Sequence, residues 1–106
     1  MAVNVENAAM MLIVHSGDAR TLAFQALESA KKGDFDEAKR LLAESEAKAL
    51  EAHHVQTDLL VAEADGESPE INILLVHSQD HLMTSMLAQE LIKELIYLHE
   101  TKADKP

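Results

Sequence analysis

Small and apolar side chains recur at alternating steps of three and four residues, the spacing that places them on one face of an α-helix. In the first third of the chain this face comprises Val5, Ala9, Leu12, Ser16, Ala19, Ala23, Ala26 and Ala30. In the second third it comprises Ala38, Leu42, Ser45, Ala49, Ala52, Gln56 and Leu59. The pattern predicts two amphipathic helices, over about residues 4–32 and 35–64.

Residues with turn and capping preferences mark the ends of these helices. Gly33 suits the position after a helix, and Asp34 suits the N-cap of the next one, with Glu37 completing a capping box. Ser68 and Pro69 predict an N-cap and a first helical residue for a third helix, over about residues 69–100. The run 71–76 has the composition of a buried strand, but helical spacing continues beyond it and the chain has no second strand to pair with it.

Short connections make neighbouring helices antiparallel, so the pattern predicts a single all-α domain over residues 1–106, an up-down-up three-helix bundle. The third helix is apolar on more than one face, which indicates burial on several sides. A three-helix monomer cannot bury a helix in this way, and we therefore expect self-association through it. The residues in excess of one face are Leu82, Met83, Met86, Leu87, Leu91, Ile92, Leu95 and Ile96.

The amino-acid composition disfavours several classes of function. The 106 residues carry 9 Lys and Arg against 19 Asp and Glu, a formal net charge of −10, which disfavours binding to nucleic acid or anionic lipid. The chain has no cysteine, which excludes thiolate metal sites and favours an intracellular location. No apolar run reaches the length of a membrane span and no basic leader opens the chain, so we expect no direct membrane insertion.

The six histidines carry most of the candidate chemistry. His77, Asp80 and His81 lie at i, i+3 and i+4, so their side chains share one patch of helix surface. This patch continues through Thr84 and Ala88 towards Leu91 and Leu95, a row expected to face other helices. For the remaining histidines, ordinary packing or exposure is the favoured interpretation: His15, His53, His54 and His99.

The spacing leaves three interpretations of the patch open. It can be a polar cluster with a structural role only. It can be a metal site using His77, His81 and Asp80, although no glutamate follows the first histidine as in zinc proteases. It can also be a phosphoryl acceptor, because a neutral imidazole is a nucleophile and Thr84 is placed to donate a hydrogen bond to the phosphoryl group.

The segment Leu75–Ala88 closely resembles the signature of the lactose/cellobiose (diacetylchitobiose)-type enzyme IIA proteins of the bacterial sugar phosphotransferase system. The resemblance extends in order over about residues 5–100. It includes Ser16-Gly17-Asp18-Ala19-Arg20, Gly33-Asp34-Phe35 with Ala38, Ala52-His53 with Gln56-Thr57, and Glu94-Leu95-Ile96 with Leu98-His99-Glu100. Ser78 departs from it, standing where alanine or glycine is common, and could alter the hydrogen bonding around His77.

The resemblance implies a cytoplasmic phosphotransferase component that forms a homotrimer, a nine-helix bundle. His77 would accept a phosphoryl group on Nε2 from the histidine phosphocarrier protein and pass it to a cysteine of the IIB component, which serves the membrane permease IIC. Asp80 and its two symmetry mates would bind one divalent cation, Mg²⁺ being expected, at the trimer axis. His81, Gln79 and Thr84 would be supporting residues.

Two other functions remain as alternatives. The segment 33–38 also resembles helical hairpins of tetratricopeptide or microtubule-interacting modules, which bind proteins without catalysis. That interpretation leaves His77, Asp80 and His81 without a role. A metal-binding helical bundle without phosphoryl transfer is the other alternative.

Overall fold

The computed structural model describes residues 4–67 and 70–104, which form three α-helices and no strand. Helix α1 spans Val5–Lys31, α2 spans Phe35–Ala64 and α3 spans Ile73–Ala103. The helices run up, down and up, as the sequence predicts. Together they form a rod of 60 × 20 × 17 Å. Helix α1 packs along both of the others, whereas α2 and α3 touch each other much less.

The predicted small-residue faces form the interior of the bundle. On α1, every predicted position from Ala9 to Ala30 is buried, Ala8 joins them, and Val5 is half-buried. On α2, Ala49 and Gln56 are only half-buried and Ala62 is buried in addition. Ser45 of α2 donates its hydroxyl to the carbonyl oxygen of Ala19 in α1, so a buried polar side chain joins two helices without losing its hydrogen bond.

The core has two clusters, one towards each end of the rod. Towards the α1–α2 turn it consists of Ala23, Ala26, Ala30, Ala38, Leu42, Ile92 and Ile96. Towards the other end it consists of Ala8, Leu12, Ala52, Leu59, Leu75 and Leu82. Lys39 Nζ and Glu100 Oε2 form an ion pair of 3.0 Å between α2 and α3 near the α1–α2 turn. Alanine dominates the first cluster, which lets the helices approach closely.

The α1–α2 turn has the predicted capping residues. Gly33 adopts a positive φ of 84°, a conformation that an L side chain rarely adopts. The Asp34 carboxylate then accepts a hydrogen bond from Glu37 N at 3.2 Å, as an N-cap does. Arg40 binds Glu37 and Glu44 on the exposed face of α2, and its hydrogen bonds hold the pKa of the Glu37 carboxyl below its usual value.

The predicted start of α3 is wrong by four residues. The helix begins at Ile73, and residues 70–72 are not helical. Asn72 is the N-cap: its backbone is extended, and its side-chain oxygen accepts a hydrogen bond from Leu75 N at 2.8 Å. The cap predicted at Ser68 and Pro69 lies outside the described residues. At its other end α3 continues to Ala103, three residues beyond the predicted end.

Candidate functional site

The two histidines of the predicted patch are in direct contact on α3. Because they are four residues apart on one helix, their rings lie one turn apart on the same side. His77 Nε2 and His81 Nε2 are 3.1 Å apart, within hydrogen-bond distance, and the ring centroids are 4.6 Å apart with the planes at 80°. His77 is exposed and His81 is half-buried. One ring nitrogen of an exposed imidazole is thus held by a neighbouring imidazole.

Asp80 lies on the same turn without touching the rings. Its side chain is exposed, and across residues 4–67 and 70–104 its carboxylate forms neither a hydrogen bond nor an ion pair. Nor does any single set of three His, Cys, Asp or Glu side chains converge on a metal-sized site in that part of the chain. One subunit therefore offers an isolated carboxylate beside a histidine pair.

Two other predicted interactions differ from expectation. The Thr84 hydroxyl donates to the carbonyl oxygen of Asp80 at 2.7 Å, so its hydrogen is already engaged by the backbone. Ser78 is fully buried, and its hydroxyl donates to the carbonyl oxygen of Leu75 at 2.6 Å. Ser78 therefore faces the core, and the expectation that it alters the hydrogen bonding of His77 is wrong.

Gln79 is hydrogen-bonded to a side chain of α2. Gln56 Nε2 donates to Gln79 Oε1 at 2.7 Å, which leaves both amide hydrogens of Gln79 available to another acceptor. The two glutamines line a groove of about 240 Å³ between α2 and α3, whose apolar wall includes Leu59, Leu75 and Val76. The sequence placed Gln56 only on the packing face of α2, and nothing in its spacing indicated a link to Gln79.

His81 lines a second, larger groove. This groove has a volume of about 900 Å³, and Gly17, Arg20 and Phe24 of α1 line it together with His81. The Arg20 guanidinium carbon is 5.8 Å from the centre of the Phe24 ring, which suits a cation–π contact. Among the described residues Arg20 has no carboxylate ion pair. The groove beside His81 carries charges of both signs, because Glu28 and Glu37 line it as well.

The row expected to face other helices does not pack inside the subunit. The buried face of α3 is instead formed by Leu75, Ser78, Leu82, Ser85, Ile92 and Ile96. At about 3.6 residues per turn, the opposite side of α3 carries exposed apolar side chains at steps of three or four around Asp80. We call these residues the α3 row: Ile73, Val76, Met83, Leu87, Leu91, Leu95 and Leu98. The α3 helix is therefore apolar on two opposite faces, and only one of them is covered within the subunit.

The remaining histidines have ordinary environments. His15 Nδ1 lies 3.1 Å from Glu51 Oε2, an ion-pair approach between α1 and α2. His53 and His54 are exposed on α2, and His99 is half-buried on α3. No histidine of this group approaches the His77–His81 pair within hydrogen-bond distance in the described part of the chain.

Fold and site together define a small all-α protein whose chemistry centres on a histidine pair at the edge of an uncovered apolar helix face. The family model for the lactose/cellobiose-specific IIA subunit of the PTS system matches residues 7–100. The chain belongs to this family. Because the match includes all three helices, the protein-interaction module suggested by residues 33–38 is not favoured.

Individual relatives agree with this assignment. The chain is 52% identical over 99 residues to the N,N'-diacetylchitobiose-specific EIIA component of Escherichia coli K12, covering 93% of this chain and 85% of that relative. The crystal structure of the cellobiose-specific enzyme IIA from Bacillus anthracis superposes with a TM-score of 0.95 at 40% identity, over 100% of this chain and 97% of the other.

A third relative is described together with a partner. The solution structures of the IIA(Chitobiose)–HPr complex, from the N,N'-diacetylchitobiose branch of the E. coli phosphotransferase system, contain an IIA chain that is 49% identical to this one. It superposes with a TM-score of 0.83, over 96% of this chain and 99% of that chain.

In the described part of this chain, none of the helices combines the length and the apolar composition needed to cross a bilayer.

Proposed function

We propose that this protein is the phosphocarrier IIA component of a sugar phosphotransferase system. His77 accepts a phosphoryl group from the histidine phosphocarrier protein HPr and passes it to a cysteine of the IIB component, which serves the permease IIC. The observation that carries the proposal is the exposed His77 imidazole, held by His81, on the third helix of a chain of this family. The E. coli relative in complex with HPr supports the choice of donor.

The reaction needs little more from this chain than a well-placed nucleophile. The lone pair of His77 Nε2 attacks phosphorus while the bond from phosphorus to the donor nitrogen breaks, and the two nitrogens must lie in line. Because His77 is carried on a helix of 31 residues, its backbone is fixed and only the side-chain torsions need to be ordered. Gln79, two residues further on, lines the α2–α3 groove on another side of the helix, so it is not placed to bind the phosphoryl group within the same subunit.

The exposed α3 row supports assembly into a homotrimer. Seven large apolar side chains are exposed on one side of a single helix, on either side of Asp80, and an exposed apolar patch of this kind is typical of a subunit interface. Three copies of α3 meeting along this surface would form the centre of a nine-helix bundle. Each helix would then bury both of its apolar faces.

Asp80 lies between Val76 and Met83 of the α3 row, and this position determines its proposed role. In a trimer packed on that row, three Asp80 carboxylates approach the axis and repel one another unless a cation neutralises them. Carboxylate oxygens are ligands that Mg²⁺ accepts, so the donor type fits, although a single subunit supplies only one. We therefore assign Asp80 as a ligand of one divalent cation per trimer, which would hold the subunits together.

The sugar is proposed from the relatives alone, since this component carries phosphate and not sugar. The relatives described above are specific for N,N'-diacetylchitobiose and for cellobiose. We propose a disaccharide of this type as the substrate of the complete system.

Phosphoryl transfer to the purified protein tests the proposal. The protein is incubated with phosphoenolpyruvate, enzyme I and HPr, and its intact mass is measured. We expect the gain of one phosphoryl group per chain, labile in acid and stable in base, and its loss on addition of the matching IIB component. Absence of any mass gain under conditions where HPr is phosphorylated would contradict the function.

A further inference from the structure

We infer that His81 is a positioning residue that holds His77 in the tautomer whose Nε2 is unprotonated, the form in which this nitrogen becomes the nucleophile once His81 releases it. The inference rests on the proposed function of His77. It assigns to His81 a particular task, that of a permanent hydrogen-bond donor through Nε2. This task goes beyond a general supporting role and follows from the geometry of the pair.

A hydrogen bond between two neutral imidazoles uses one hydrogen, which is carried by only one of the two nitrogens in contact. The Nε2 atoms are 3.1 Å apart, so one of them carries the hydrogen and the other accepts it through its lone pair. If His77 were the donor, its Nε2 would hold a hydrogen and its lone pair would be on Nδ1. If His81 is the donor, His77 carries its hydrogen on Nδ1 and keeps an in-plane lone pair on Nε2. Only the second arrangement makes Nε2 of His77 a nucleophile.

The proposed reaction selects the second arrangement. A nucleophilic Nε2 on His77 requires that the hydrogen of the contact be carried by Nε2 of His81. Arg20 lines the same groove as His81 and offers hydrogen-bond donors and no acceptor, so it can pair only with a lone pair. Glu28 and Glu37 line this groove as well, so its charge is mixed and the assignment of the tautomer rests on the geometry of the pair.

His81 is the less exposed member of the pair. His77 is exposed, whereas His81 is half-buried and borders a groove lined by residues of α1. The donor ring therefore has less freedom to rotate than the acceptor ring.

The Nε2 hydrogen of His81 has an acceptor both before and after the phosphoryl group is transferred to His77. When His77 Nε2 gives its lone pair to phosphorus, the bond from phosphorus to the donor nitrogen breaks and its electron pair returns to that nitrogen. His77 retains its hydrogen on Nδ1, so its phosphorylated ring is cationic at the end of the step, and the donor imidazole leaves as a neutral ring when its other nitrogen carries a hydrogen. The Nε2 hydrogen of His81 loses its nitrogen acceptor and turns to a phosphoryl oxygen, where the negative charge strengthens the hydrogen bond.

Two substitutions of His81 separate this task from a structural one. His81→Gln keeps an N–H donor at about the position of Nε2, whereas His81→Leu removes it. Nitrogen chemical shifts of His77 report its tautomer directly, at a pH above the usual titration range of histidine so that both rings are neutral. We expect the Nδ1–H tautomer of His77 in the wild-type protein and in His81→Gln, and a shift to the Nε2–H tautomer in His81→Leu.

Rates of phosphoryl acceptance from HPr provide the second measurement. We expect His81→Leu to slow acceptance by roughly 10- to 100-fold, the effect of losing a hydrogen bond to a charged group, and His81→Gln to restore most of it. His53→Gln, a histidine substitution on exposed α2, is the matched control and should have no effect. Circular dichroism verifies that each variant is folded.

The outcomes separate this inference from the proposed function. A wild-type His77 found in the Nε2–H tautomer, or a His81→Leu variant that accepts phosphate at the wild-type rate, would overturn the inference and leave the proposed function intact. Failure of the wild-type protein to accept phosphate would overturn the proposed function, while the tautomer measurement would still decide the role of His81.

Discussion

Gln56 on α2 donates a hydrogen bond of 2.7 Å to Gln79 on α3, two residues after the proposed acceptor His77. The link matters because α2 and α3 contact each other sparsely and are both organised around α1. It fixes the carboxamide of Gln79 with its amide hydrogens unused. The polar bridge thus links α2 to α3 on a side of α3 that does not carry the histidine pair.

Substitution of Gln56 tests this bridge. Gln56→Met keeps the length of the side chain but removes the donor, and we expect a loss of about 0.5–1.5 kcal/mol in the free energy of unfolding. A double-mutant cycle with Gln79→Met, followed by urea denaturation, should give a coupling energy of similar size. Additive effects of the two substitutions would show that the bridge is absent in solution.

Leu82 tests the subunit core. It is fully buried between α3 and its neighbours, so Leu82→Ala should cost about 2–5 kcal/mol through lost contacts and a cavity. Leu50→Ala is the control, because Leu50 is 54% exposed on α2 and its truncation should cost far less. Urea denaturation measures both, and equal losses would contradict the assignment of Leu82 to the core.

Leu87 tests the proposed trimer. It is 55% exposed within the subunit and lies in the α3 row, so Leu87→Glu would bury an unpaired charge at the subunit interface. We expect the wild-type protein to sediment as a trimer and this variant as a monomer at the same concentration. Leu50→Glu introduces the same charge at an equally exposed leucine of α2 and should leave the trimer unchanged. A trimeric Leu87→Glu variant would place the interface elsewhere.

Substitution of Asp80 tests the proposed role of the divalent cation in the trimer. If three Asp80 carboxylates share a divalent ion, a chelator should weaken the wild-type trimer by at least about tenfold in dissociation constant, since carboxylates without the ion repel. Asp80→Asn removes the charge, so its trimer should respond neither to chelator nor to added Mg²⁺. Sedimentation equilibrium with and without Mg²⁺ distinguishes the two proteins. An equal response of both would remove Asp80 from the proposed cation site.

The helices themselves could be predicted because local physics determines them. The small-residue faces of α1 and α2 repeat at helical spacing, and Gly33 with Asp34 ends one helix and caps the next. The predicted start of α3 is wrong because it rests on Ser68 with Pro69 and takes no account of the N-cap preference of Asn72. Sequence alone does not show which cap is used, whereas the hydrogen bond from Leu75 N to Asn72 does.

The site could be predicted only as a set of neighbouring residues. Spacing of i and i+4 places His77 and His81 on one side of α3, but the approach of Nε2 to Nε2 depends on side-chain rotamers. The hydroxyl of Thr84 was expected to be available, and local competition from the backbone carbonyl of Asp80 engages it. The bridge from Gln56 to Gln79 depends on the relative register of two helices, which periodicity does not specify.

Mass spectrometry of His77→Gln tests the central claim most directly. The wild-type protein, His77→Gln and the control His99→Gln are each incubated with phosphoenolpyruvate, enzyme I and HPr, and intact masses are compared. We predict one phosphoryl group on the wild-type protein and on His99→Gln, and none on a folded, trimeric His77→Gln variant. A phosphoryl group on His77→Gln would contradict the assignment of His77 as the acceptor.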